Sequence, residues 1–125
     1  MSSDSAARLW TARLLGGLLV LFLLFDGITK VFKERHVLEA FERLGIPVSL
    51  APEIGLIVLV CAVAYAIPRT RILGAILVTG LLGGAVATHV RAGSPVFEAL
   101  VFPAIMGALA WVPLWLRDVR VRALL

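Results

Sequence analysis

Six ionisable side chains stand at or just inside the ends of long apolar runs: Asp26, Lys30, Glu53, His89, Arg91 and Glu98. An ionisable group inside a bilayer is costly unless paired, so each is a candidate for function. Together they form a candidate ligand-binding set for the polar head of an amphipathic molecule. His89 can also pass protons near neutral pH. Each residue has a plainer reading. Asp26 and Lys30 stand i,i+4 and can simply neutralise one another. Glu53 and Glu98 suit the positive N-terminal end of a helix. Arg91 suits an anchor that snorkels to lipid head groups, and His89 a satisfied interfacial residue.

Other chemistries find little support. His36 and His89 lie in separate segments with no ligand spacing around either, so no metal site is expected. Cys61 is the lone cysteine and sits in an apolar run, which excludes an intramolecular disulfide and reads as packing. There is no P-loop, no nucleophile elbow and no GxGxxG after a strand. No catalytic residue is nominated, and no intrinsic cofactor is expected.

The elements that position the six residues follow from composition. Hydrophobic residues make up 61% of 125, with a mean hydropathy of +1.02. Soluble domains hold about 45–50%, so the excess must face lipid. The net charge of +4 comes from arginines that flank apolar runs and build no basic face. That pattern fits a lipid bilayer as partner and excludes nucleic acid. The expected fold is all-α: one integral membrane domain over residues 1–125, a four-helix bundle with spans at about 9–29, 50–67, 72–90 and 97–116. The first run has a basic start but no small-x-small cleavage site after it, so it reads as a retained span. The second is tight. Its uncharged run, 54–67, rises only about 21 Å, so the helix must begin near Leu50 with Pro52 and Glu53 in its first turn.

Between spans one and two, Val37, Leu38, Phe41 and Leu44 fall on one helical face, with charges opposite. A short amphipathic helix over about 34–44 is expected, ended by Gly45 and Pro47. It either lies on the membrane surface or packs on the bundle. Gly80 and Gly84 form a GxxxG pair that Thr88 extends, a helix-packing face for a partner inside the bundle or in a second subunit. Four spans put both termini on one side. That side holds seven basic residues (8, 13, 69, 71, 117, 120, 122) against five (30, 33, 35, 43, 91), which favours cytoplasmic termini. Trp10, Tyr65, Trp111 and Trp115 map to the same side, as an interfacial belt. The six ionisable residues then meet at the outer end, at similar depth.

Several segments carry a resemblance to a known family. Phe25-Asp26-Gly27-Ile28-Thr29-Lys30, Leu44-Gly45-Ile46-Pro47 and Ile67-Pro68-Arg69-Thr70 resemble the DoxX-like family of bacterial four-span membrane proteins. So do Leu73-Gly74-Ala75-Ile76-Leu77, the stretch 83–91 and Trp115-Leu116-Arg117-Asp118. The resemblance implies a four-helix bundle in the bacterial inner membrane and an association with quinone or thiol redox systems, including a subunit of a thiosulfate:quinone oxidoreductase in the wider group. Members commonly carry a glutamate early in span two. Val58 holds that position here, and Glu53 is the carboxylate one turn earlier.

The reading favoured is a quinone- or lipophile-binding accessory subunit of a membrane redox system, with a quinone as the possible cofactor and a redox partner protein supplying electrons. Whether it is itself an enzyme is left open; any activity would be oxidoreductase-associated. The alternative is a non-enzymatic scaffold that forms a homo-oligomer or holds a partner through the glycine face. A small-solute carrier built as an oligomer is the weaker third reading, because four spans show no inverted repeat or broken helix.

Overall fold

The computed structural model describes residues 3–124 and is all-α among them. Helix α1 covers Ser3–Val31, α2 Arg35–Leu44, α3 Ala51–Ala66, α4 Arg71–Arg91, α5 Phe102–Arg117 and α6 Val119–Leu124. Four stretches are long and apolar enough to cross a membrane: Ser5–Val31, Val48–Ala66, Pro68–Arg91 and Phe97–Arg117. The expected four spans are therefore present. α1 packs on α3 and α5, and α4 packs on the same two helices. Sequence neighbours and the closing pair are thus all antiparallel. The core runs through the middle, with Leu19 and Leu23 facing Val58, Cys61, Ala62, Val78, Met106 and Ala110. The outside stays apolar. Leu14, Leu18, Leu21 and Phe25, one stripe of α1, are each more than half exposed. Such a surface is what a membrane-spanning helix presents to lipid or to another helix.

Helix ends close by local chemistry. α1 ends with Lys33 at φ 52 while the Glu34 N–H reaches back to the Thr29 carbonyl (3.0 Å). Gly45 (φ 77) and Gly93 (φ 74) end α2 and α4 in the same left-handed way. Only glycine takes that conformation without penalty. Glu34 caps α2, its carboxylate accepting from the His36 N–H at 2.9 Å. The same carboxylate holds the His36 imidazole above its usual pKa through a side-chain hydrogen bond. α3 is entered through a 3-10 turn, Val48–Leu50, with Pro52 in its first turn. At its far end Thr70 Oγ1 donates to the Ala64 carbonyl (2.7 Å). Arg71 donates from Nε to Tyr65 (3.0 Å) and from Nη2 to Ala66 (3.1 Å). These carbonyls have no helical partner, so the side chains satisfy them.

Several details differ from the sequence reading. The fourth span is not one regular helix: Phe97–Val101 is a π turn that runs into α5. Pro103 lacks an N–H, and the turn before it widens, with the Phe102 N–H bonded to the Phe97 carbonyl. α6 was not expected. Asp118 breaks α5 with an extended backbone and then accepts the Arg120 N–H (2.9 Å), starting a new turn. Tyr65 is no belt residue. It is 1% exposed, and its hydroxyl donates to the Ala110 carbonyl at 2.7 Å. That bond falls beside Pro113, whose missing N–H frees the Leu109 carbonyl in the middle of α5. Trp111 is half-buried and reaches across to α4, its indole N–H donating to Thr79 Oγ1 (2.7 Å). The amphipathic helix α2 packs on the bundle, burying Phe41 and Leu44.

The glycines that hold the bundle are not the ones the spacing selected. A Cβ on Gly55 would lie 2.7 Å from the Gly27 carbonyl oxygen, so α1 and α3 touch backbone to backbone. A Cβ on Gly74 would lie 2.4 Å from the Tyr65 nitrogen, which locks α4 onto α3. A Cβ on Gly80 or Gly84 would meet nothing within 4 Å. Of the two partners considered for the GxxxG face, one inside the bundle is excluded. Thr88 Oγ1 bonds to the Gly84 carbonyl of its own helix (2.8 Å).

Candidate functional site

The six ionisable residues occupy the loop-bearing end away from the termini, and most of them are bonded to groups outside the set or to none. Lys30 Nζ is bonded to Asp26 Oδ2, one turn away on α1. His89 Nδ1 is bonded to Ser94 Oγ at 3.0 Å. Arg91 Nη2 donates to the Leu44 carbonyl at 3.1 Å, which ties the end of α4 to the end of α2. Arg91 is thus a clamp rather than a free head-group anchor. Glu53 and Glu98 are exposed, and among the described residues neither forms an ion pair. Asp26 and Lys30 alone of the six bond to each other.

Nor is their depth equal. Gly16 stands against Tyr65 and Pro113, and Gly74 against Tyr65, so Arg13, Arg71 and Arg117, each about one turn further out, mark a common level near the terminal end. From that level the rise along α4 to Arg91 is about 30 Å, a full hydrocarbon thickness. Along α1 it is about 20 Å to Asp26 and about 25 Å to Lys30. Asp26 therefore sits about 10 Å nearer the midplane than Arg91. The cause is in the sequence: only residues 14–25 separate Arg13 from Asp26 on α1. The pair therefore lies deeper along the bundle than Arg91, where mutual neutralisation lowers the cost of facing lipid.

The cavity at the terminal end holds about 410 Å³, within the range of small-molecule sites. Gly16, Gly17, Val20 and Leu21 of α1 line one wall and Pro113 of α5 another, with Tyr65 and Ala66 of α3 also lining it. Tyr65 and Pro113 both lie within 4 Å of where a Gly16 Cβ would stand. Gly17 has open space where its Cβ would be, so the missing side chain leaves room in the groove. Arg13, Arg71 and Arg117 stand along the lining. Arg71 is fixed by the α3 carbonyls, and the Arg13 guanidinium lies 5.4 Å over the Trp10 ring. Arg117 Nε is buried, with no partner among the described residues. Asp118, its sequence neighbour, is bonded instead to Arg120 (3.0 Å), and that side-chain bond holds the Asp118 carboxyl below its usual pKa.

Sequence reasoning missed this groove. The signal was present in the pair Gly16-Gly17 one turn after Arg13, on the first span, and in Pro113 one turn before Arg117 on the last. Which helix faces meet depends on the packing of Tyr65, and hydropathy does not report that.

A model of the DoxX-like family matches residues 14–113, which is most of the chain. The chain belongs to the DoxX-like family. No match was found among curated proteins or among solved structures. The matched stretch includes all six ionisable residues, Tyr65, Arg71 and Pro113, while Arg13 and Arg117 flank it just outside. At the position where the resemblance implies a glutamate, Val58 is 1% exposed in the core. Glu53, five residues earlier, is exposed and on a different face of α3. It does not take that place.

Proposed function

We propose that this DoxX-like membrane protein is a lipophile-binding accessory subunit, and that its ligand lies in the groove between the terminal halves of α1 and α5. The observation that carries the reading is the cavity of about 410 Å³, apolar along α1 and lined with guanidinium groups toward the terminal end of the bundle. This is the polarity gradient of an amphipathic molecule in a leaflet. Guanidinium N–H groups donate to ring carbonyls as well as to anions, so a quinone is one ligand of this form. The redox assignment comes from the family. With termini in the cytoplasm of a bacterial inner membrane, the groove opens to the cytoplasmic leaflet. The Asp26–Lys30 pair is a second polar point on α1, about 20 Å away, too far to touch the same head group.

Gly17→Trp fills the groove from open space without touching the core. The protein purified in mild detergent is expected to retain one lipophile per chain, seen by solvent extraction and mass spectrometry, and Gly17→Trp to lose it with helix content unchanged. Equal retention by both proteins would refute the reading.

A second reading, an oligomeric scaffold, draws on one observation: the uncovered glycines of α4 border a shallow groove against α5 lined by Gly83, Ala104, Gly107 and Trp111. Crosslinking in native membranes separates the two, because a scaffold gives a discrete dimer band and a lone ligand-binding subunit none.

A further inference from the structure

We infer that the arginine end of the groove binds an anionic phosphate head group, and this rests on the reading of the groove as a lipophile site. Arg13, Arg71 and Arg117 come from three different helices and line one cavity. Among the described side chains no carboxylate is paired with any of them. Three like charges around a cavity repel, and the low dielectric near lipid strengthens that repulsion. An anion between them turns the same geometry into attraction. Arg117 gives the more specific sign. Its Nε is a charged donor, buried and without an acceptor among the described residues, which is a costly state unless an acceptor is supplied. Asp118, the adjacent carboxylate, is committed to Arg120.

Guanidinium forks match phosphate oxygens in pairs, with short charge-assisted bonds. Arg71 is already held by the Tyr65 and Ala66 carbonyls, so one wall of the site is rigid before any ligand arrives. The apolar wall of Val20 and Leu21 continues from the arginines toward the midplane, where an acyl chain would lie. A phosphate ester on a lipid supplies both parts. A free phosphate supplies only the head.

The test uses the full chain, delipidated in detergent, and native mass spectrometry. Phosphatidylglycerol, zwitterionic phosphatidylcholine and the neutral ubiquinone are titrated separately, with and without inorganic phosphate. Phosphatidylglycerol is expected to bind one per chain, at least tenfold tighter than phosphatidylcholine. The double substitution Arg13→Gln, Arg117→Gln is expected to remove that tenfold preference. Neither side chain caps a helix, so the melting temperature should hold, and Arg13→Lys, Arg117→Lys should restore part of the preference. Displacement by millimolar inorganic phosphate would assign the site to phosphate itself, and its failure would assign it to the lipid; either supports the inference. Equal binding of anionic and neutral lipophiles, blocked by Gly17→Trp, would overturn the anionic head group and leave the lipophile site standing. No saturable binding of any of the three would overturn both.

Discussion

Gly74→Ala is expected to destabilise the bundle by about 3 kcal/mol, the upper part of the usual range for overpacking. The new methyl would stand 2.4 Å from the Tyr65 nitrogen and 2.6 Å from its Cα. Neither is the end of a flexible side chain, so the helices themselves must part. The consequence spreads, because the Tyr65 carbonyl and hydroxyl hold Arg71 and α5 respectively. Gly80→Ala on the same helix is the matched control. Its methyl meets nothing within 4 Å, and alanine is the better helix former by up to about 1 kcal/mol. Thermal unfolding in detergent should show Gly74→Ala melting well below the parent and Gly80→Ala at or above it. Equal behaviour of the two would mean that α3 and α4 do not meet at Gly74.

Asp26→Ala is the second large effect. It strips the counter-ion from Lys30, whose side chain is 20% exposed within the span. A lone cation at a helix centre costs roughly 2.5–3.5 kcal/mol on insertion scales, less where it can reach the interface. Lys30 is about 5 Å from the level of Arg91, so part of that cost is relieved, and a loss of about 2 kcal/mol is expected. Asp26→Ala with Lys30→Met should recover most of it, since no charge is then left unpaired. A double-mutant cycle in chemical denaturation measures the coupling. Additive losses would show that the two side chains do not depend on each other. Where stability recovers in the double variant but ligand retention does not, the pair has a role beyond neutralisation.

The spans and the bounds of α2 were legible because they rest on strong local signals. Charge-free runs mark what can enter lipid, and Gly45 with Pro47 can only end a helix. Facing was not legible. α3 and α4 are apolar on nearly every side, so no stripe tells the core from lipid. The GxxxG spacing therefore pointed to Gly80 and Gly84, while the contacts that set the bundle fall on Gly27, Gly55 and Gly74. The ionisable residues were found by type, yet their depths were misjudged, since level depends on where each helix begins in the bundle. The groove lay beyond reach for the same reason. It is built by Gly16 and Gly17 of the first span, Tyr65 of the second and Pro113 of the last, which only the closing contact of α1 with α5 brings together.

The central claim is that a lipophile occupies this groove, and photo-crosslinking tests it most directly. A diazirine-tailed phospholipid, added to membranes holding the full chain and irradiated, would be mapped by peptide mass spectrometry. Adducts are predicted to concentrate on residues 12–21 and 113–117, and to fall away from both in Gly17→Trp. Adducts spread over the exposed faces of all four spanning helices, with no excess at the groove, would contradict the account.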